Sequence, residues 1–305
     1  MPDYPGYRDE YAPSTAAVLD TAEEPVLPRD ERQVHRPKVL VPVILFVLTC
    51  LSTFWAGAMG GSWTDGLMFS GALMLTLLAH EFGHFLQARR YHVPASLPYF
   101  IPLPISPIGT MGAVIGMQPG VGDRKSLFDI AITGPLAGLV PALVFSTLGL
   151  WLSEVRPVEP MAGAIMIGEP LLFQWIREAT FGPIPVGEDV YLHPIAFAGW
   201  VGIFITALNL IPIGQLDGGH ILYALMRRWA HAVATLLLVA AAVGIVLFGY
   251  WGWSLMIFLL ILIGPRHPPT ANDYVELGTG RVLLGWLSLP FIFIGFTPEP
   301  FIIPG

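Results

Sequence analysis

The sequence predicts an all-α polytopic membrane protein of about six to seven transmembrane helices, and three observations carry that prediction. Of its 305 residues, 54% are apolar and only 12% charged, with a mean hydropathy of +0.65; a water-soluble chain of this length needs more polar surface. Apolar stretches approaching the roughly 20 residues that cross a bilayer recur along the chain. Basic residues lie between these stretches in a strongly one-sided pattern.

Residues 1–36 are rich in Pro, Asp, Glu and Tyr without apolar periodicity, and read as a disordered acidic, Pro-rich N-terminal tail. The tail lacks the basic start of a secretory signal and is too acidic for a transit peptide, so the first span is expected to be retained. Residues 37–305 then form one membrane domain. Spans are expected at 40–59 and 66–88. Between the second and third spans, Pro98, Pro102, Pro104 and Pro107 exclude regular helix, and Thr110 to Met117 reads as an extended segment. Further spans are expected at 127–152, 193–213, 231–249, 251–264 and 281–297. The sixth is short and the seventh ends in Pro-rich sequence, which leaves a tilted or re-entrant reading open for either. Gly249 to Trp253 reads as a turn at the membrane interface.

Arg29, Arg32, Arg36 and Lys38 precede the first span, Arg89 and Arg90 follow the second, and Arg124 and Lys125 precede the third. Arg227 and Arg228 separate the fourth and fifth spans; Arg266 and Arg281 separate the sixth and seventh. Alternating spans put all of these on one side. The other side receives Arg156 and Arg177 with six acids between Glu154 and Asp189. The positive-inside rule assigns the first group, with the N-terminus, to the cytoplasm. The net charge of −7 comes largely from the tail and from 154–189, and no basic patch suits a nucleic acid. Cys50 is the only cysteine, which excludes an intrachain disulfide and a cysteine-based metal site.

The second span ends in His80-Glu81-Phe82-Gly83-His84. Two imidazoles four positions apart on a helix point the same way, so both can grip one tetrahedral zinc with the glutamate beside the open position. Ionisable groups at membrane depth are costly and usually functional. Arg89 is nine residues beyond His80, which puts the pair roughly 13 Å below the basic side. A third ligand is required, and Asp217 is the best candidate. It lies in Asn209-Leu-Ile-Pro-Ile-Gly-Gln-Leu-Asp-Gly-Gly-His220, where Pro212 and three glycines interrupt helix; irregular backbone at membrane depth belongs where it is buried in protein or lines a wet cavity. An interfacial turn is the alternative role for Asp217. His220 is read either as a contact to the ligand set or, as its position favours, as an ordinary turn or interface residue; the other histidines lie near span ends without ligand spacing.

The His80–His84 motif with the later Asn209, Pro212 and Leu216-Asp217-Gly218, and Gly134-Pro135-Leu136-Ala137-Gly138 in the third span, resemble the site-2 protease family of intramembrane zinc metalloproteases. The resemblance covers about 40–300. Arg89 to Pro104 and Asn209 to His220 look closest to a subgroup without PDZ domains, which includes plant plastid proteases named for ethylene-dependent gravitropism deficiency and bacterial relatives. The 153–192 stretch is too short for a PDZ domain. The resemblance implies a short membrane-associated β segment between the second and third spans, in agreement with the extended reading there.

The expected function is therefore a zinc-dependent intramembrane endopeptidase, with one zinc per chain held by His80, His84 and Asp217 and Glu81 as general base. Asn209 either donates to the developing oxyanion or makes a helix–helix hydrogen bond. By resemblance, the substrates are single-pass transmembrane proteins, cut in regulated intramembrane proteolysis. The acidic tail favours a bacterial cytoplasmic membrane. The rival readings are a divalent-metal transporter, which needs ionisable residues along several spans, and an inactive scaffold that binds membrane helices.

Overall fold

The computed structural model describes residues 39–59, 61–118, 120–158 and 166–302; the tail expected at 1–36 lies outside the described residues. Helix α1 (Leu40–Ala58) turns its large apolar residues outward and buries Thr49, Ser52 and Thr53. Thr53 Oγ1 and Ser70 Oγ, 2.7 Å apart, join it to the next helix. Apolar outside and small polar inside is the pattern of a helix whose solvent is lipid. Helix α2 (Trp63–Arg90) starts at a capping box: Ser62 Oγ accepts from the Asp65 N–H, and the Asp65 carboxylate accepts from the Ser62 N–H. Arg89 and Arg90 in its last turn complement the helix dipole.

Strands β1 (Tyr99–Pro102) and β2 (Thr110–Val114) pair antiparallel, with Tyr99 opposite Val114 and Phe100 opposite Ala113. This gives the extended 110–117 segment a partner that the sequence did not reveal. Gly109 closes the connecting turn at φ +81°, its α-carbon so near α1 that a side chain would lie 2.5 Å from the Ser52 carbonyl. Ser52 Oγ donates to the Gly109 carbonyl and fastens the hairpin to α1.

Helix α3 (Arg124–Trp151) begins where Asp123 Oδ1 accepts from the Ser126 N–H at 2.7 Å. Beyond it lie pieces too short to read from periodicity: β3 (Glu154–Pro157), β4 (Met166–Ile167), α4 (Leu171–Phe181) and β5 (Glu188–Tyr191), with β3 paired to β5. Helix α4 buries Phe173 and leaves Leu171 and Trp175 exposed. Helix α5 (Pro194–Asn209) is followed by irregular chain across 210–216 and by α6 (Asp217–Met226). The expected fourth span thus ends four residues early, because Pro212 has no N–H to continue the ladder. Helix α7 (Trp229–Phe248), a 3-10 turn at Trp251–Trp253 and α8 (Ser254–Ile263) follow. The last expected span is broken at Pro290 into α9 (Thr279–Ser288) and α10 (Phe291–Gly295), and β6 (Phe301–Ile302) pairs with β4.

Among the described residues α1, α2, α3 and α7 are long and apolar enough to cross a membrane, and the segments 194–209, 251–263 and 279–295 are shorter apolar helices. The main core lies where α2, α3 and α5 meet, around Phe69, Leu73, Leu77, Ala142, Trp200 and Ile203. A second cluster joins α3 to α6 through Phe128, Ile132, Ile221 and Leu222. These two packings bring the end of α2 and the start of α6 together across α3.

Candidate metal centre

His80, Glu81 and His84 sit on the inward face of α2, 4%, 3% and 5% exposed. The helical repeat sets the two imidazoles one turn apart, and their Nε2 atoms lie 3.2 Å from each other. Asp217, the first residue of α6, faces them from across the bundle. Its Oδ2 is 3.1 Å from His80 Nε2 and its Oδ1 is 3.3 Å from His84 Nε2. One donor atom from each of the three residues falls within a 4.8 Å cluster.

These separations decide what the cluster fits. Zinc with bonds of about 2.0–2.1 Å in tetrahedral geometry holds its donors about 3.3 Å apart. The two imidazole nitrogens lie near that edge length, each with an oxygen of Asp217 at a similar distance, and two imidazoles with one carboxylate oxygen would leave a fourth position free. His84 Nδ1 is 2.7 Å from the Ile130 carbonyl. A carbonyl only accepts, so Nδ1 carries the proton and Nε2 keeps the lone pair that a metal needs. A backbone acceptor behind a ligating histidine is the usual device for fixing tautomer and ring orientation.

Helix α3 is shaped to receive the histidines. A β-carbon at Gly134 would stand 2.0 Å from His84 Nε2, and one at Gly138 would stand 2.9 Å from the His80 β-carbon. The glycines of Gly134-Pro-Leu-Ala-Gly138 therefore leave the volume that the two rings fill. On the other side, Gly218 lets the start of α6 press against the irregular chain, since a β-carbon there would meet the Leu210 carbonyl at 2.1 Å. That close approach aims Asp217 at α2.

His80, Glu81, His84, Asn209 and Asp217, all singled out in the sequence, gather here. Asn209, at the end of α5, has its Nδ2 3.3 Å from His80 Nε2, so its amide faces the donor set rather than only a neighbouring helix. Glu81 is buried in the same turn as the two histidines. His220 is placed otherwise: its Nδ1 is 2.6 Å from His267 Nε2, in a polar group where Tyr223 stacks on His267 and donates to Asp273 at 2.8 Å. Burial acts to raise the Asp273 carboxyl, and hydrogen bonds from Thr270 and Tyr223 outweigh it and hold the group below its ordinary range. Sequence reasoning missed the Ile130 carbonyl, which no residue type signals, and missed Asp129 as an acid buried inside the third span. The basic Arg281, far along the chain, was the available hint for Asp129.

The model of peptidase family M50 matches residues 68–248, which contain every residue of the cluster. Among curated proteins, the chain is 34% identical over 236 residues to the protein named probable zinc metalloprotease EGY1, chloroplastic, of Arabidopsis thaliana, covering 73% of this chain and 41% of the relative. It is 34% identical over 225 residues to the protein of the same name from Oryza sativa subsp. japonica, covering 69% and 37%. It is 29% identical over 249 residues to probable zinc metalloprotease EGY2, chloroplastic, of Arabidopsis thaliana, covering 79% and 43%. The chain thus spans about two fifths of the length of these relatives. No solved structure matches it. With the matched region covering more than half of the chain and enclosing the three-donor cluster, the chain belongs to peptidase family M50, the site-2 protease family of zinc metalloproteases.

Proposed function

We propose that this chain is a zinc-dependent intramembrane endopeptidase. The observation that carries the reading is the three-donor cluster of His80, His84 and Asp217 beside the buried carboxylate of Glu81 in an apolar helix. His80, His84 and Asp217 hold the ion. Zinc in that position supplies a Lewis-acidic charge that polarises the scissile carbonyl and acidifies water. Glu81 takes the proton from the attacking water and returns it to the departing nitrogen. Asn209 donates its amide to the oxyanion that develops at the carbonyl. The apolar surroundings exclude bulk water and strengthen each of these charge interactions.

Residues 37–305 form the protease domain of a multi-pass integral membrane protein, with residues 1–36 as a tail. The basic side and the N-terminus face the cytoplasm, and the acidic tail favours a bacterial cytoplasmic membrane; the chloroplast location belongs to the names of the plant relatives. The substrates are single-pass transmembrane proteins, cut within or near the bilayer in regulated intramembrane proteolysis. A substrate helix must unwind to expose a peptide bond, and its freed backbone groups then need partners. Among the described residues β2 is paired with β1 alone, which leaves an edge for strand addition.

Two experiments test the reading. Asp217→Ala is expected to lose both bound zinc, measured by metal analysis of the purified protein, and cleavage of a model membrane peptide. Full zinc in that variant removes the ligand assignment. Val114→Pro takes an amide donor from β2 and is expected to slow cleavage while leaving zinc content unchanged. Wild-type cleavage by that variant ends the strand-addition part of the proposal.

A further inference from the structure

The donor set comes from two separate parts of the chain. His80 and His84 belong to α2, whose rings are seated on α3 through Gly134, Gly138 and the Ile130 carbonyl. Asp217 belongs to α6. The separation between α3 and α6 therefore sets whether three donors or two reach one ion.

One arginine bridges that separation directly at the basic end, and a second ties α3 to α9, which also touches α6. Arg124, the first residue of α3, donates through Nε to the Ala224 carbonyl and through Nη2 to the Leu225 carbonyl at 3.2 Å. Both acceptors lie in the last turn of α6, where carbonyls lack intrahelical partners and a cation is favoured. One planar guanidinium thereby caps α6 and fixes it to α3. Arg281, on α9, makes the second tie. Its Nε and Nη2 donate to the two oxygens of Asp129 at 2.7 and 2.8 Å. Tyr91, at the end of α2, donates its hydroxyl to the same carboxylate. Asp129 adjoins Ile130, whose carbonyl orients His84. One turn beyond Arg281, Gly285 lies against both Phe128 of α3 and Leu225 of α6. Helix α9 thus touches both parts and is fastened to α3 by a bidentate charged pair.

We propose that Arg124 and the Arg281–Asp129 pair are positioning residues for the metal centre: they hold α6 at the spacing from α3 that lets Asp217 complete the coordination begun by His80 and His84. Neither arginine touches the donors. The proposal rests on the ligand reading given above.

Cobalt(II), whose visible spectrum distinguishes tetrahedral from higher coordination, is the probe. Wild type, Arg124→Ala, Arg124→Lys, Asp129→Asn and Arg281→Ala are purified in detergent and titrated with cobalt, with Arg228→Ala as a control that keeps both bridges. Wild type is expected to give the tetrahedral spectrum. The bridge variants are expected to bind cobalt about tenfold or more weakly, in line with losses of supporting groups around metal ligands, and to show the weaker bands of higher coordination. The swap Asp129→Arg with Arg281→Asp is expected to recover most of the affinity lost by either change alone. Folded Arg124→Lys and Asp129→Asn proteins with wild-type cobalt affinity and spectrum overturn the proposal. A wild type that binds no cobalt instead overturns the ligand reading, so the two failures are separate. If Arg124→Ala or Arg281→Ala does not fold, the lysine and asparagine variants decide the matter.

Discussion

Glu81→Gln is expected to keep its zinc and lose its cleavage. The amide is nearly isosteric with the carboxylate, so the buried turn of α2 that carries His80 and His84 keeps its packing, and the three donors at 3.1–3.3 Å are undisturbed. What disappears is a group able to accept a proton from water and return it to the leaving amine. General base catalysis contributes about a hundredfold to ten-thousandfold, and the loss in turnover should fall in that range with one zinc per chain retained. Metal analysis and single-turnover cleavage of a membrane peptide on the same sample check the prediction. Turnover near wild type assigns the proton transfer elsewhere. Metal flux into liposomes that survives this change would favour the transporter reading instead.

Gly134→Ala is the second change with a large expected effect, and it adds only a methyl group. The new β-carbon would stand 2.0 Å from His84 Nε2 and 2.3 Å from its Cε1. Contact at that range is forbidden, so the ring must turn away or α2 must withdraw from α3. Either movement separates His84 from the Ile130 carbonyl and from the other two donors. Zinc content and cleavage should fall together. Gly71→Ala is the matched control, because a β-carbon there meets nothing within 4 Å, and replacing an exposed helical glycine by alanine is neutral or slightly stabilising. Equal zinc binding in Gly134→Ala and Gly71→Ala would show that α3 does not form the seat of the ligand ring.

The parts of this site that could be read from the sequence are those whose geometry is local. His80 and His84 are one helical turn apart by arithmetic alone, and an apolar helix around them made their chemistry conspicuous. Asp217 was accessible for a different reason: Pro212 and the neighbouring glycines announced irregular backbone, which a bilayer tolerates only inside protein. Asn209 was found with two roles left open, and the structure turns its amide toward His80. Relations between distant residues were not legible. Gly134 and Gly138 stood out only as a resemblance; their purpose emerges when the rings of α2 occupy the space above them. The Ile130 carbonyl carries no residue signature at all. Asp129 and Arg281, 152 positions apart, each looked like an ordinary residue near the end of a span. Helix α4 and the β3–β5 pairing escaped because segments of 11 and 4 residues are too short for apolar periodicity to separate from connecting loop.

The 137 positions between His80 and Asp217 also order events during biosynthesis. A ribosome that has delivered the first two long helices has made His80, Glu81 and His84 but not Asp217. Two nitrogens alone fall short of the three protein ligands that a catalytic zinc site takes. The third donor of the cluster arrives only with the segment that begins at Asp217, when more than two thirds of the chain has been made.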